Sequence, residues 1–226
     1  MRIVDLSHPF RPGHWRWNPI LRHTSTHAEG ATFQSGSLQT PLHAFTHVDA
    51  PVHFLPDGRS LDQLPVDAWV GEATVVDLSS LHLGHGHGVL AEHLGRHARH
   101  VRQGDIVLLR TDWDRRCDVS TDRFWRDGPF TTRPAAEWLA ARGVKAVGYD
   151  YPPDECLTLD PLESGRWPRE QHTTHDVFFP RGILVVEYLA NLANLQAERF
   201  LFAALPLNLV GGDGCPVRAI AIEGLA

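Results

Sequence analysis

Cysteine is scarce in this chain. Cys117, Cys156 and Cys215 are odd in number and far apart. That excludes a disulfide framework and a Cys-x-x-Cys metal knuckle, and it reads the thiols as reduced residues. Cys215 has no histidine beside it in sequence to activate it, so its expected role is structural. Positive charge is also short, with 21 Lys and Arg against 27 Asp and Glu and a formal net charge of −6. No bulk basic surface is left to hold nucleic acid or anionic lipid. Long apolar runs are missing as well. The opening residues carry no apolar core of signal-peptide length, and no later stretch approaches a membrane span, so a cytoplasmic protein is expected, with no membrane or nucleic-acid partner. Nor is there an internal repeat, a long linker or a shift in composition. With 226 residues, 42% hydrophobic and 21% charged, the chain reads as one globular domain spanning 1–226.

Histidine, by contrast, is plentiful: there are fifteen. The informative stretch is residues 43–54, where His43, His47, Asp49 and His53 fall within twelve positions. In an extended strand His43, Phe45, His47 and Asp49 would face one way; in a helix His43 and His47 would still share a face. Pro51 ends either element and lets the chain turn His53 back toward the others. Imidazole nitrogens mixed with a carboxylate suit zinc, or manganese with more oxygen. The denser run His82, His85, His87, His93, His97 and His100 has no carboxylate in such an arrangement and reads as a solvated face.

Further along, Glu72 to Leu78, Asp105 to Thr111 and Val144 to Asp150 read as strands, and 134–142 as a helix opened by Pro134 and stopped by Gly143. This order predicts a parallel βαβ unit in an α/β fold, with active residues beyond the carboxyl ends of the strands. Asp150 sits at one such end, as an orienting group or a cap. Short strands are also expected at 2–6, 183–189, 200–207 and 217–222, with edge strands within 21–40. A turn is expected at 211–214, and 151–170 reads as a long loop. Glu187 is conspicuous within its apolar strand, because a buried carboxylate is costly unless it is paired or bound to metal.

The chain resembles the bacterial kynurenine formamidase and cyclase family of metal-dependent hydrolases. The shared features are the Asp5-Leu-Ser opening, the His-x-x-x-His-x-Asp-x-x-x-His pattern at 43–53, Val147-Gly-Tyr-Asp150, the His175 to Glu187 spacing, and Leu205-Pro-Leu with 211–218. The resemblance implies a swivelling β/β/α arrangement with a mixed, partly parallel sheet, often assembled as a homodimer or homotetramer. It implies His43, His47 and Asp49 on a first metal, His175 on a second, and Asp49 and Glu187 shared between them. His53 would be the general acid/base and Trp17 the substrate-contacting tryptophan. The family commonly has glycine where this chain has Phe45, and often a His-His pair where it has Thr174-His175. A phenylalanine at that position would be expected to narrow or reshape the pocket.

Five protein ligands fit a two-metal site, most simply two zinc ions with manganese as the alternative, and a catalytic site keeps a position open for water. The expected activity is hydrolysis of a small amide, with cyclic amides or lactones as variants. Two readings of other classes compete: a non-catalytic metal- or ligand-binding module, and a single structural zinc. A free imidazole at His53 beside a full ligand set argues against a storage site.

Overall fold

The β-branched and leucine-rich runs that read as buried strands form the centre of a nine-stranded sheet. The computed structural model describes residues 1–224. Val70–Asp77, Ile106–Arg110, Ala146–Tyr149 and Leu184–Glu187 lie side by side and parallel. Helix Arg133–Ala141 connects the second of these to the third, which is the expected βαβ unit. Alternation of side chains assigns the two faces. Val107, Leu109, Val147 and Val185 face one core with Leu94, Leu139 and Phe178 of the helices, whereas Ile106, Leu108, Ala146 and Val186 face a second core with Trp69 and Phe202. Burial on both faces is why the central strands read as continuous apolar runs.

Antiparallel strands flank this centre. On one side stand Arg199–Ala203, Ile220–Glu223 and Arg2–Asp5. On the other, Leu184–Glu187 pairs with His47–Asp49, which pairs in turn with Gly214–Pro216. The sheet is therefore mixed and partly parallel, as expected. Ile20–Ser25 and Ser35–Gln39 form a separate, largely exposed hairpin that carries His23 on its surface.

Several expectations need correction. The strand expected at 200–207 ends at Ala203, and the last strand is Ile220–Glu223 rather than 217–222. The 151–170 segment is not wholly loop, because Glu155–Leu159 forms a short helix after Asp154. Gly214 does not simply end a turn but starts the edge strand 214–216. Residues 43–49 are neither one strand nor a helix: only His47–Asp49 is strand, because Phe45 adopts a left-handed backbone with φ 55°. That reversal sends the Phe45 ring away from the His47 and Asp49 face, into contact with Phe10, His14 and Trp17.

Candidate metal centre

Strand register does the first part of the assembly. Glu187 lies directly opposite His47 and Val185 opposite Asp49. Side chains directly opposite each other on neighbouring antiparallel strands share a face, so His47, Asp49 and Glu187 meet on one face while Val48, Val186 and Cys215 enter the core behind. Asp49 and His47 are each 1% exposed and Glu187 4%. Pro51 then opens a single helical turn, Pro51–His53, which brings the His53 ring to 3.9 Å from that of His43, centroid to centroid. The fourth imidazole comes from helix Thr173–Phe178, which places His175 Nε2 3.3 Å from both Asp49 Oδ2 and Glu187 Oε1. His47 Nε2 is 3.2 Å from Asp49 Oδ1 and 3.8 Å from Glu187 Oε2.

The outward nitrogens show how these rings are held. His47 Nδ1–H donates to the Phe45 carbonyl at 2.8 Å, and His175 Nδ1–H donates to Asp154 Oδ2 at 2.6 Å. Asp154 is itself fully buried, and its other oxygen accepts the Thr174 backbone N–H at 2.7 Å. His43 offers Nε2–H to Asp213 at 3.0 Å and sets Nδ1 2.6 Å from Asp49 Oδ1. Its ring lies flat against the backbone at Gly214, where a Cβ would come within 2.5 Å of Cε1. Metal-binding histidines characteristically have one nitrogen held by a carboxylate or carbonyl and the other turned inward.

This donor set fits a divalent cation. Two buried carboxylates face imidazole nitrogens whose ring partners are already committed, and such a cluster is costly without positive charge among the oxygens. Without a metal, protons supply that charge. Burial opposes protonation of His43, yet Asp49 and Asp213 override it and push the ring up to about 9. His175 is likewise raised despite its burial, by Asp154, Asp49 and Glu187. Asp49 is buried too, but His47 and His43 hold it well below the usual carboxylate range. His53 moves the other way: burial pushes it down to about 4 and keeps it neutral.

Two trios have donor atoms close enough for one ion each, namely His43, Asp49 and His53, and His47, Asp49 and Glu187. The residues singled out in the sequence thus converge, apart from Trp17. Its indole is buried behind the cavity, packed on Phe45, Trp125 and Tyr188. The cavity of about 160 Å³ is lined by the His, Asp and Glu cluster together with Arg16 and Tyr188. Phe45 is not on that lining, so its effect on the pocket is indirect. Asp150 proves to be a cap, accepting N–H groups from Thr111 and Asp112. Asp154, Asp213 and Arg16 were not anticipated. The nearest sequence signal was the Gly-Gly-Asp-Gly turn around Asp213.

Comparison with known proteins places the chain and its fold. The family described as "Putative cyclase" matches residues 4–154. A kynurenine formamidase of Salinibacter ruber is 33% identical, covering 97% of both chains, and one of Erythrobacter litoralis is 30% identical, covering 98% of this chain and 94% of its own. Among solved structures, isatin hydrolase A from Labrenzia aggregata, bound to benzyl benzoate, superposes with a TM-score of 0.80 at 25% identity, covering 98% of this chain and 93% of its own. Fold, donor cluster and relatives together define a metal-dependent amide hydrolase. The chain belongs to the cyclase family that includes the kynurenine formamidases.

Proposed function

We propose that the chain hydrolyses the carbon–nitrogen bond of a small aryl amide, an N-formyl arylamine first and a cyclic amide second. The observation that carries this reading is the buried meeting of Asp49 and Glu187 with inward nitrogens of His47 and His175. In this reading His43, His47 and Asp49 would hold a first ion, His175 would belong to a second, and Asp49 and Glu187 would serve both. His53, although near enough to His43 and Asp49 to share an ion, is assigned to proton transfer instead. Zinc suits the donors best, with manganese as the alternative. When bound, such ions supply a water of lowered pKa and polarise the scissile carbonyl.

The protein's own part is orientation and proton movement. Asp154, Asp213 and the Phe45 carbonyl fix His175, His43 and His47. His53, neutral and beside His43, takes the proton of the attacking water and returns it to the leaving amine. Trp17 acts behind the site by backing Tyr188, which borders the cavity. The cyclic-amide reading is supported by the likeness to isatin hydrolase A. A homodimer or homotetramer belongs to the same proposal, supported by exposed Leu205, Leu207 and Val210. So does a cytoplasmic setting, in keeping with three free, buried cysteines. The experiment is to reconstitute chelated protein with zinc or manganese and assay N-formyl arylamines and cyclic amides. His53→Ala is expected to keep its metal and lose roughly 10²–10⁴ in turnover; full activity in that variant rules out the assigned role.

A further inference from the structure

Between the two loop tryptophans the chain makes a tight turn whose product is a single aimed side chain. Asn18 N–H donates to the His14 carbonyl at 2.7 Å, and Asn18 takes a left-handed backbone with φ 41°. The His14 ring is clamped inside this turn. Its Nδ1 accepts the Arg16 backbone N–H at 3.2 Å, and its Nε2–H donates to the Val119 carbonyl at 2.8 Å. Trp17 is locked into the aromatic cluster on one side. Arg16 is left pointing into the cavity that holds the donor cluster. Its guanidinium carbon lies 5.3 Å from the centroid of the Trp125 ring.

The guanidinium is incompletely satisfied. Arg16 Nε and Nη1 are buried and have no hydrogen-bond partner among the described residues. An arginine cannot shed its proton to escape this cost, so buried, unpaired N–H groups on a cation call for an anion from outside the chain. The Trp125 ring beneath the cation holds it in place, and a guanidinium presents two forks, Nε with Nη2 and Nη1 with Nη2, either of which matches the two oxygens of a carboxylate.

We propose that Arg16 anchors a carboxylate on the substrate, at a point separate from the scissile amide, so that the site selects small amides bearing a carboxylate. The proposal rests on the hydrolase reading for the word substrate, but its binding chemistry is separable from turnover. Arg16 touches the ligand and sets specificity, whereas the histidine and carboxylate cluster faces the bond that breaks.

The test is calorimetric titration of zinc-reconstituted protein with benzoate and with benzamide, its uncharged isostere. The unaltered protein is expected to bind benzoate at least roughly tenfold more tightly, as a charge-assisted paired contact provides. Arg16→Gln is expected to bring the two ligands to within about twofold. Arg16→Lys, which keeps the charge but not the fork, is expected to fall between them; it carries the test if the glutamine variant does not fold. No preference in the unaltered protein, or the full preference surviving in Arg16→Gln, overturns the proposal, the latter by assigning the carboxylate to the metals or imidazoles. Failure of the hydrolase reading would show differently, as absent turnover with the Arg16-dependent preference intact.

Discussion

Residues 43–53 hold three histidines and residues 82–100 hold six, yet the smaller set converges and the larger does not. In the larger set the rings serve their own surroundings. His85 bonds the Arg126 carbonyl, His100 bonds the Val75 carbonyl, and His93 accepts the Leu90 N–H at the start of a helix. The one acid in that run, Glu92, is exposed. In the smaller set, strand His47–Asp49 is buried on both faces and aligned against Glu187, so its donors have no solvent to turn to. Density of ligands along the chain is therefore a poor guide to a site. Carboxylates placed among imidazoles by strand register are a better one.

The sharpest way to break this comparison is Asp49→Asn. Both trios of donors pass through Asp49, so the variant is expected to lose nearly all bound metal, by elemental analysis, and roughly three orders of magnitude in turnover, equivalent to about 4 kcal/mol. A variant that kept its metal would move the site elsewhere. Asp154→Asn tests the outer support of His175 and is expected to cost roughly 10–100-fold in metal affinity, measured by competition with a chelator.

His8 offers a third kind of histidine, largely buried and with no hydrogen-bond partner for Nε2 among the described residues. Burial pushes its pKa down to about 4 from the ordinary 6.5, with only partial relief from Asp118. Between those two values the unfolded chain binds a proton that the folded chain refuses. Stability therefore falls as the pH drops through this window, by at most about 1.4 kcal/mol per pH unit from this group. Urea midpoints at pH 7 and pH 5 measure the loss, and His8→Leu is expected to remove much of it. The smallest effect is expected from replacing His85, His87, His93 and His97 together by glutamine. Metal content and turnover should stay within about twofold, since surface changes of this kind typically alter stability by no more than about 0.5 kcal/mol each; a loss of metal would return a functional role to the larger set.

Much of this arrangement could be read along the chain. The runs at 105–111 and 183–189 announce buried strands because both of their faces are covered. His47 and Asp49 share a face by strand period, and Pro51 predicts the return of His53. What could not be read depends on residues distant in sequence. Asp213 meets His43 across 170 positions and Asp154 meets His175 across 21, and neither pairing follows from local pattern. Phe45 misled for a different reason. A left-handed backbone at a bulky residue is uncommon, so simple alternation put its ring on the wrong face. Trp17 was expected at the cavity, yet Arg16, which was not anticipated, lines it instead, because the turn around His14 decides which of them meets the cavity.

Gly214 extends the site in a direction that chemistry alone does not suggest. It offers no donor, yet any side chain there would put its Cβ 2.5 Å from the His43 ring. Because the obstacle is a ring held by both Asp49 and Asp213, it cannot easily move aside. Selection acting on the donors must therefore act equally on an empty position. In a mutational scan of this chain, position 214 would read like a ligand, and the genetic footprint of the centre would be wider than its coordination chemistry.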